Sequence, residues 1–148
     1  MTNSSIQIVC KSCSTKNRLP KAKLNDKPVC GKCGQAVLST SPVVGSDKNF
    51  NRFITDNGLP LVVDFWALWC GPCKQFAPTF EEVASEMSTK ACFIKLDTEH
   101  NQNTAGGHNI RSIPTLIIFY QSKEIARMSG VLPKPEFIQW LAQNLPSV

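Results

Sequence analysis

Six of the seven cysteines in this 148-residue chain fall into three C-x-x-C pairs, Cys10/Cys13, Cys30/Cys33 and Cys70/Cys73. Sixteen residues separate the first pair from the second, a spacing that lies inside the range of four-cysteine zinc sites. Each pair sits on a tight turn, marked in the second by Gly31 and Gly34, so that both sulfurs can face one tetrahedral ion. Two local disulfides or four free thiols are the competing readings, and a reducing compartment favours zinc over both. Cys70 and Cys73 have no second pair nearby to complete such a site. They stand where a buried strand pattern gives way to a helical one, with Pro72 suited to the first helical turn. At a helix N-terminus, free N–H groups and the positive end of the dipole favour a Cys70 thiolate. Cys73, almost one turn further in, is close enough to bond to Cys70 but more protected. An exposed, acidic sulfur backed by a sheltered one is the arrangement a dithiol–disulfide exchanger requires.

The elements that must hold these sulfurs differ along the chain. Residues 1–38 contain no Phe, Tyr or Trp, and the first aromatic is Phe50. So short a segment without aromatics needs a staple to fold, and zinc supplies one. Residues 1–45 carry seven Lys or Arg against the single acid Asp26, so the net charge of +5 belongs to this part. The stretch "STSPVVGS", 39–46, reads as a linker without helical period. Beyond it, "SDKNFNRFITDNG" predicts a helix capped by Ser46 or Asp47 and stopped by Gly58. "LPLVVDFWA" and "ACFIKLD" are continuous apolar runs of the kind that form strands covered on both faces. Residues 72–88 predict a helix kinked at Pro78, "TLIIFY" and "EIARMSG" a hairpin, and "KPEFIQWLAQNL" a closing amphipathic helix. The predicted class is α/β: a central mixed sheet flanked by helices, preceded by a small zinc-ribbon-like module. The predicted domains are a zinc module at 1–38, a linker at 39–46 and a second domain at 47–148.

"FWALWCGPCK" followed by "SIPT" ending at Thr115 resembles the thioredoxin family, and the added four-cysteine segment resembles its bacterial thioredoxin 2 branch. The likeness runs from about residue 46 to the C-terminus. It implies a thioredoxin fold, reduction of disulfides in other proteins, and recycling by NADPH-dependent thioredoxin reductase. Carried over by position, it makes Cys70 the nucleophile and Cys73 the resolving thiol, with Gly71 and Pro72 tuning the pair. Trp69 is placed beside the cysteines as part of the docking surface. Asp64 matches the family's buried acid, and it is also the lone carboxylate of "LVVDFW". Desolvation should raise its pKa, which suits it to take the proton Cys73 loses. Lys95 corresponds to the lysine near that acid. The Ile113–Pro114 bond is expected to be cis, with Ile113 offering backbone groups to an extended substrate, and Gly130 matches the glycine of the neighbouring loop. The turn "QSKE" lacks the glycine many thioredoxins have there, which bears on partner preference and not on chemistry.

The remaining chemistry-bearing residues have simpler expectations. Cys92 is read as a small core residue, Trp66 and Trp140 as core, and His100 and His108 as solvated loop residues. No apolar run is long enough to span a membrane. The N-terminal stretch lacks an apolar core of signal-peptide type, so a cytoplasmic location is expected. One structural Zn2+, no bound organic cofactor and a monomer complete the expectation, with thioredoxin reductase and disulfide-containing proteins as partners. The zinc module is read as a redox-sensing or substrate-selecting accessory. A nucleic-acid partner, suggested by the basic residues, is disfavoured by the absence of aromatics for base stacking. An isomerase-like role is disfavoured by Pro72, where such enzymes generally carry histidine.

Overall fold

The computed structural model describes residues 4–148; Met1–Asn3 lie outside the described residues. The N-terminal module opens with two antiparallel strands, β1 (Ser5–Val9) and β2 (Lys16–Pro20), paired from Ser5↔Pro20 to Val9↔Lys16. A 3-10 turn at Lys21–Asp26 and a bridge between Val29 and Ala36 follow. Ile6, Ile8, Leu19 and Val37 form the module's small apolar centre around Cys10 and Cys30.

The remaining chain runs β3 (Val43–Gly45), α1 (Phe50–Asp56), β4 (Leu61–Trp66), α2 (Gly71–Glu86), β5 (Cys92–Asp97), α3 (Gln102–Gly107), β6 (Thr115–Tyr120), β7 (Lys123–Ser129) and α4 (Lys134–Asn144). The five strands lie in the order β3-β5-β4-β6-β7. β3 and β4 are parallel to β5, while β6 pairs antiparallel with β4 and β7. Alternation along β4 sorts its side chains to two faces. Leu61, Val63 and Phe65 meet Phe50 and Phe53 of α1 together with Ile94, Ile117 and Phe119. Val62 points the other way, to Phe76, Phe80 and Val83 of α2 and to Phe137 and Leu141 of α4. Phe76 and Phe137 meet edge-on, with centroids 5.1 Å apart. Each such ring contributes about 2–3 kcal/mol by leaving water.

Three local expectations are corrected. The stretch 39–46 is not wholly linker, because Val43–Gly45 is the edge strand paired with Ile94–Leu96. α1 begins at Phe50, not at a Ser46 or Asp47 cap. Ser46 and Asn49 instead exchange bonds, Ser46 N–H to Asn49 Oδ1 at 2.8 Å and Asn49 N–H to Ser46 Oγ at 3.2 Å. Asp47 serves the later helix: its carboxylate accepts the Thr104 N–H at 2.9 Å and the Thr104 hydroxyl at 2.7 Å, near the start of α3. His108 is not a solvated loop residue. It closes α3 half-buried, its ring edge-on to Phe50 and Phe119. In the β6–β7 turn, Gln121 and Ser122 themselves take positive φ, 52° and 69°, the conformation that usually selects glycine or asparagine.

The module is docked on the α1–β4 connection. The Gly58 N–H donates to the Gln7 carbonyl at 2.7 Å, the Gln7 amide to the Asp56 carbonyl at 2.8 Å, and the Val9 N–H to Asn57 Oδ1 at 2.9 Å. Leu59 joins the module's apolar centre, and Val9 joins the main core. A Cβ on Gly58 would lie 2.6 Å from Ile6 Cγ1 and 2.9 Å from the Gln7 oxygen, so only glycine lets the two backbones approach this closely. The contact precedes β4, whereas Cys70 follows it. Module and dithiol therefore occupy opposite ends of this strand, about 20 Å apart at about 3.3 Å per residue.

Candidate active site and metal centre

β4 delivers the chain through Ala67–Trp69 to Cys70, which caps α2 in extended backbone, with Pro72 in the first helical turn. The Cys70 sulfur accepts the Cys73 N–H at 3.2 Å, one of the donors every helix start leaves unpaired. Cys70 and Cys73 are joined as a disulfide, with Cα atoms 5.3 Å apart. The predicted contrast in exposure is small: Cys70 is 4% and Cys73 2% exposed, because Ala67, Trp66 and Ile113 pack around both in this oxidised form.

The rim is formed by residues from distant segments. The Ile113–Pro114 bond is cis, and the Ile113 carbonyl oxygen lies 3.8 Å from Cys70 Sγ. The Gly130 N–H donates to the Pro114 carbonyl at 2.9 Å, which ties the loop after β7 to the same rim. Trp69 is 68% exposed and its indole N–H donates to Glu99 at 3.0 Å. Glu99 was not singled out from the sequence: it follows β5 in a polar stretch, and only the folded chain brings it to Trp69. A groove beside this rim is lined by Trp69, Thr98, Ile110, Arg111, Ser112 and Ile113. Gly71 has open space around it.

Asp64 lies in the middle of β4, opposite Lys95 of β5 and Leu116 of β6. It is 1% exposed, and neither carboxylate oxygen has a hydrogen-bond partner among the described residues. Strand alternation puts it on the Val62 face, under α2. Burial pushes its pKa up from 3.8 to about 7, against the partial opposition of the Lys95 charge. The Lys95 ammonium itself sits over the Trp66 ring, 4.6 Å from its centroid. Cys92 is partly buried and burial pushes its thiol up to about 12, so it behaves as the apolar residue expected.

The four N-terminal cysteines converge. Cys10 and Cys33 sulfurs are 3.6 Å apart, Cys13 and Cys30 sulfurs 3.7 Å, and all four lie within 4.8 Å of one another. A tetrahedral zinc with Zn–S bonds of about 2.3 Å needs sulfurs about 3.8 Å apart. The donor set therefore fits zinc. Two matching turns build it: Ser14 N–H bonds the Cys10 carbonyl and Gly34 N–H the Cys30 carbonyl, both at 2.9 Å. Ser14 and Gly34 both take positive φ, 61° and 77°, a cost that glycine escapes and serine bears. Ser12 and Lys32 N–H groups point at the Cys10 and Cys30 sulfurs, each at 3.4 Å. Asn17, overlooked in the sequence, clamps the two turns: its amide donates to the Thr15 carbonyl of the first turn at 3.1 Å and to Cys30 Sγ at 3.4 Å, and its oxygen accepts the Gly31 N–H at 2.9 Å.

Two family profiles match this chain. The one described as thioredoxin covers residues 41–143, and the one described as thioredoxin 2, N-terminal, covers residues 9–35. Thioredoxin C-3 of Corynebacterium nephridii is 46% identical over 138 residues, 93% of this chain and 94% of its own length. Thioredoxin of Synechocystis is 41% identical over 108 residues, 73% of this chain and all of its own. Thioredoxin 2 of Chlorobaculum tepidum is 45% identical over 100 residues, 68% of this chain and 92% of its own.

Proposed function

This chain belongs to the thioredoxin family and is a thiol–disulfide oxidoreductase, and from that premise we propose how its residues divide the work. Cys70, as thiolate, attacks a disulfide in a substrate protein. A mixed disulfide forms and one substrate thiolate leaves. Cys73 then gives its proton to Asp64 and attacks Cys70 Sγ, which releases the second substrate thiol and leaves the Cys70–Cys73 disulfide. Two electrons pass to the substrate, and thioredoxin reductase returns them from NADPH. Lys95 moderates the Asp64 charge, Gly71 and Pro72 set the geometry of the pair, and Trp69, Ile113, Pro114 and Gly130 seat the substrate chain. The observation that carries this reading is the paired, helix-capping Cys70 with an unpartnered buried acid on the strand face beneath α2.

Cys10, Cys13, Cys30 and Cys33 hold one zinc ion, and no organic cofactor is needed for the dithiol chemistry. When bound, the ion supplies folding free energy, on the order of 10 kcal/mol in such modules. The module acts as an accessory that senses oxidants or selects substrates, in a monomeric cytoplasmic protein built of a zinc module at 1–38 and a thioredoxin domain whose sheet begins with β3 at Val43. No described helix is long and apolar enough to cross a membrane.

The deciding measurement is reduction of a protein disulfide driven by NADPH and thioredoxin reductase, wild type against Cys70→Ser. Activity lost in the variant establishes the nucleophile. An inactive, zinc-loaded wild type would transfer the argument to the second reading, a zinc-ribbon binding module with nucleic acid as partner, which the basic N-terminal residues favour.

A further inference from the structure

The module carries a cationic face that the dithiol chemistry does not use. Lys16 and Arg18 alternate with Asn17 and Leu19 on β2, so that both are exposed while Leu19 is buried, and the 3-10 turn that follows adds exposed Lys23 and Lys27 with one exposed acid, Asp26, between them. Among the described residues Arg18 bonds only a serine hydroxyl and none of the module's cations is in an ion pair. Four thiolates on a divalent ion would leave two negative charges, fewer than the seven Lys and Arg of residues 1–45, and two of those seven, Lys11 and Lys32, stand inside the cysteine pairs. Arg18 and half-buried Lys21 also line a groove of about 340 Å3 between the module and the β6–β7 turn, with Gln7, Tyr120, Gln121 and the C-terminal residue Val148 among its walls.

We propose that this face docks the acidic surface of folded protein substrates while their disulfide is at Cys70. The inference rests on the disulfide-reductase reading above and names its substrate class. Like charge is left unpaired on one face, which is the complement of an acidic patch and steers its approach. The face is fixed to the catalytic domain by the Gly58, Asn57 and Gln7 bonds, yet stands at the far end of β4 from the dithiol. A partner with its disulfide at Cys70 must reach at least about 20 Å to the face, which a folded protein does and a molecule as small as oxidised glutathione does not. Nucleic acid is less well matched, because the module offers no aromatic platform.

The test uses the full-length, zinc-loaded protein, chemically reduced beforehand so that no reductase is involved. Single-turnover rates are measured with acidic α-lactalbumin, basic ribonuclease A and oxidised glutathione. In Lys16→Glu/Arg18→Glu/Lys21→Glu, the α-lactalbumin rate is expected to fall about 10-fold at low salt, with glutathione unchanged and ribonuclease A unchanged or faster. Independently of any variant, the wild-type α-lactalbumin rate should fall as salt rises from about 20 to about 300 mM, where the screening length shortens from about 20 to about 6 Å. The glutathione rate should not. Equal α-lactalbumin rates in both proteins, or no selective salt effect, overturn the proposal. So does competition in which a 20-nucleotide single-stranded DNA binds the face while α-lactalbumin reduction is unaffected. Absence of all three rates in the wild type would instead count against the chemistry assigned to Cys70 and Cys73.

Discussion

Replacing Asp64 by Asn separates the two consequences of burying an acid under α2. In the folded chain the carboxyl titrates near pH 7 instead of 3.8, a rise of about 3 units at about 1.4 kcal/mol each, or about 4 kcal/mol. Because the folded-state pKa is raised, the fold favours the protonated form. That favour is complete below pH 3.8 and is lost as pH climbs through 7. Wild type should therefore lose stability relative to Asp64→Asn by about 3 kcal/mol between pH 5 and pH 8, since asparagine has no charge to desolvate. Urea unfolding of the oxidised, zinc-saturated proteins at pH 5, 6, 7 and 8 reads this difference, and contributions common to both proteins cancel. A difference that stays flat across the range would refute the buried, titrating carboxylate. The same variant tests the chemistry. If Asp64 takes the Cys73 proton, release of substrate from the mixed disulfide slows on the order of 100-fold at pH 7. Its rate should also lose the inflection near pH 7. A pH-dependent stability difference with an unchanged release rate would leave Asp64 as a buried ion and nothing more.

The remaining predictions follow from single contacts. Cys73→Ser should accumulate a mixed disulfide through Cys70, visible as a mass increase by the substrate that dithiothreitol removes. Gly58→Ala must push Ile6 and the Gln7 carbonyl away and should cost about 1–3 kcal/mol in chemical unfolding, with module resonances shifting most in NMR spectra. Chelation of zinc should expose four further titratable thiols per chain and lower the thermal midpoint of the whole protein, since Leu59 shares the module's apolar centre. Burial holds the His108 pKa below its ordinary 6.5, so its contribution to stability is present above that value and is lost as pH falls through the folded one. His108→Phe, which keeps the ring contacts, should lose less stability than wild type between pH 7 and pH 5.

What could be read in the sequence was whatever local spacing dictates. β4 and β6 are continuous apolar runs, and the structure gives Leu61–Trp66 and Thr115–Tyr120. β3 escaped because it has three residues, one of them the 80% exposed Val44, and is a strand only by virtue of β5, about fifty residues away. α3 escaped because Gln102–Gly107 has no apolar period and two glycines; Asp47 holds its first turn from 57 residues upstream. The seat of the module was equally illegible. It depends on Asn57 and Gly58 meeting Val9 and Gln7, contacts of side chain or backbone that leave no periodic trace. Of the site, the cysteines and Asp64 announce themselves by type and setting and Pro114 by the family resemblance, whereas Glu99 and Asn17 act through partners 30 and 13 residues distant.

One four-residue pattern does two jobs here because the chain leaves it by different routes. At Cys10 and Cys30 the sulfur faces the N–H two residues on, and the backbone then reverses through Ser14 or Gly34 in the left-handed region. Each such pair leaves its two sulfurs unbonded to one another, and a second pair meets them, all four within 4.8 Å, at a spacing that suits one ion. At Cys70 the sulfur faces the N–H three residues on, because Pro72 carries the chain straight into α2. The helix brings Cys73 back under Cys70, so the pair closes on itself and not on a metal. A left-handed residue four positions after the first cysteine, or its replacement by a continuing helix, is thus the local choice between metal ligand and redox couple.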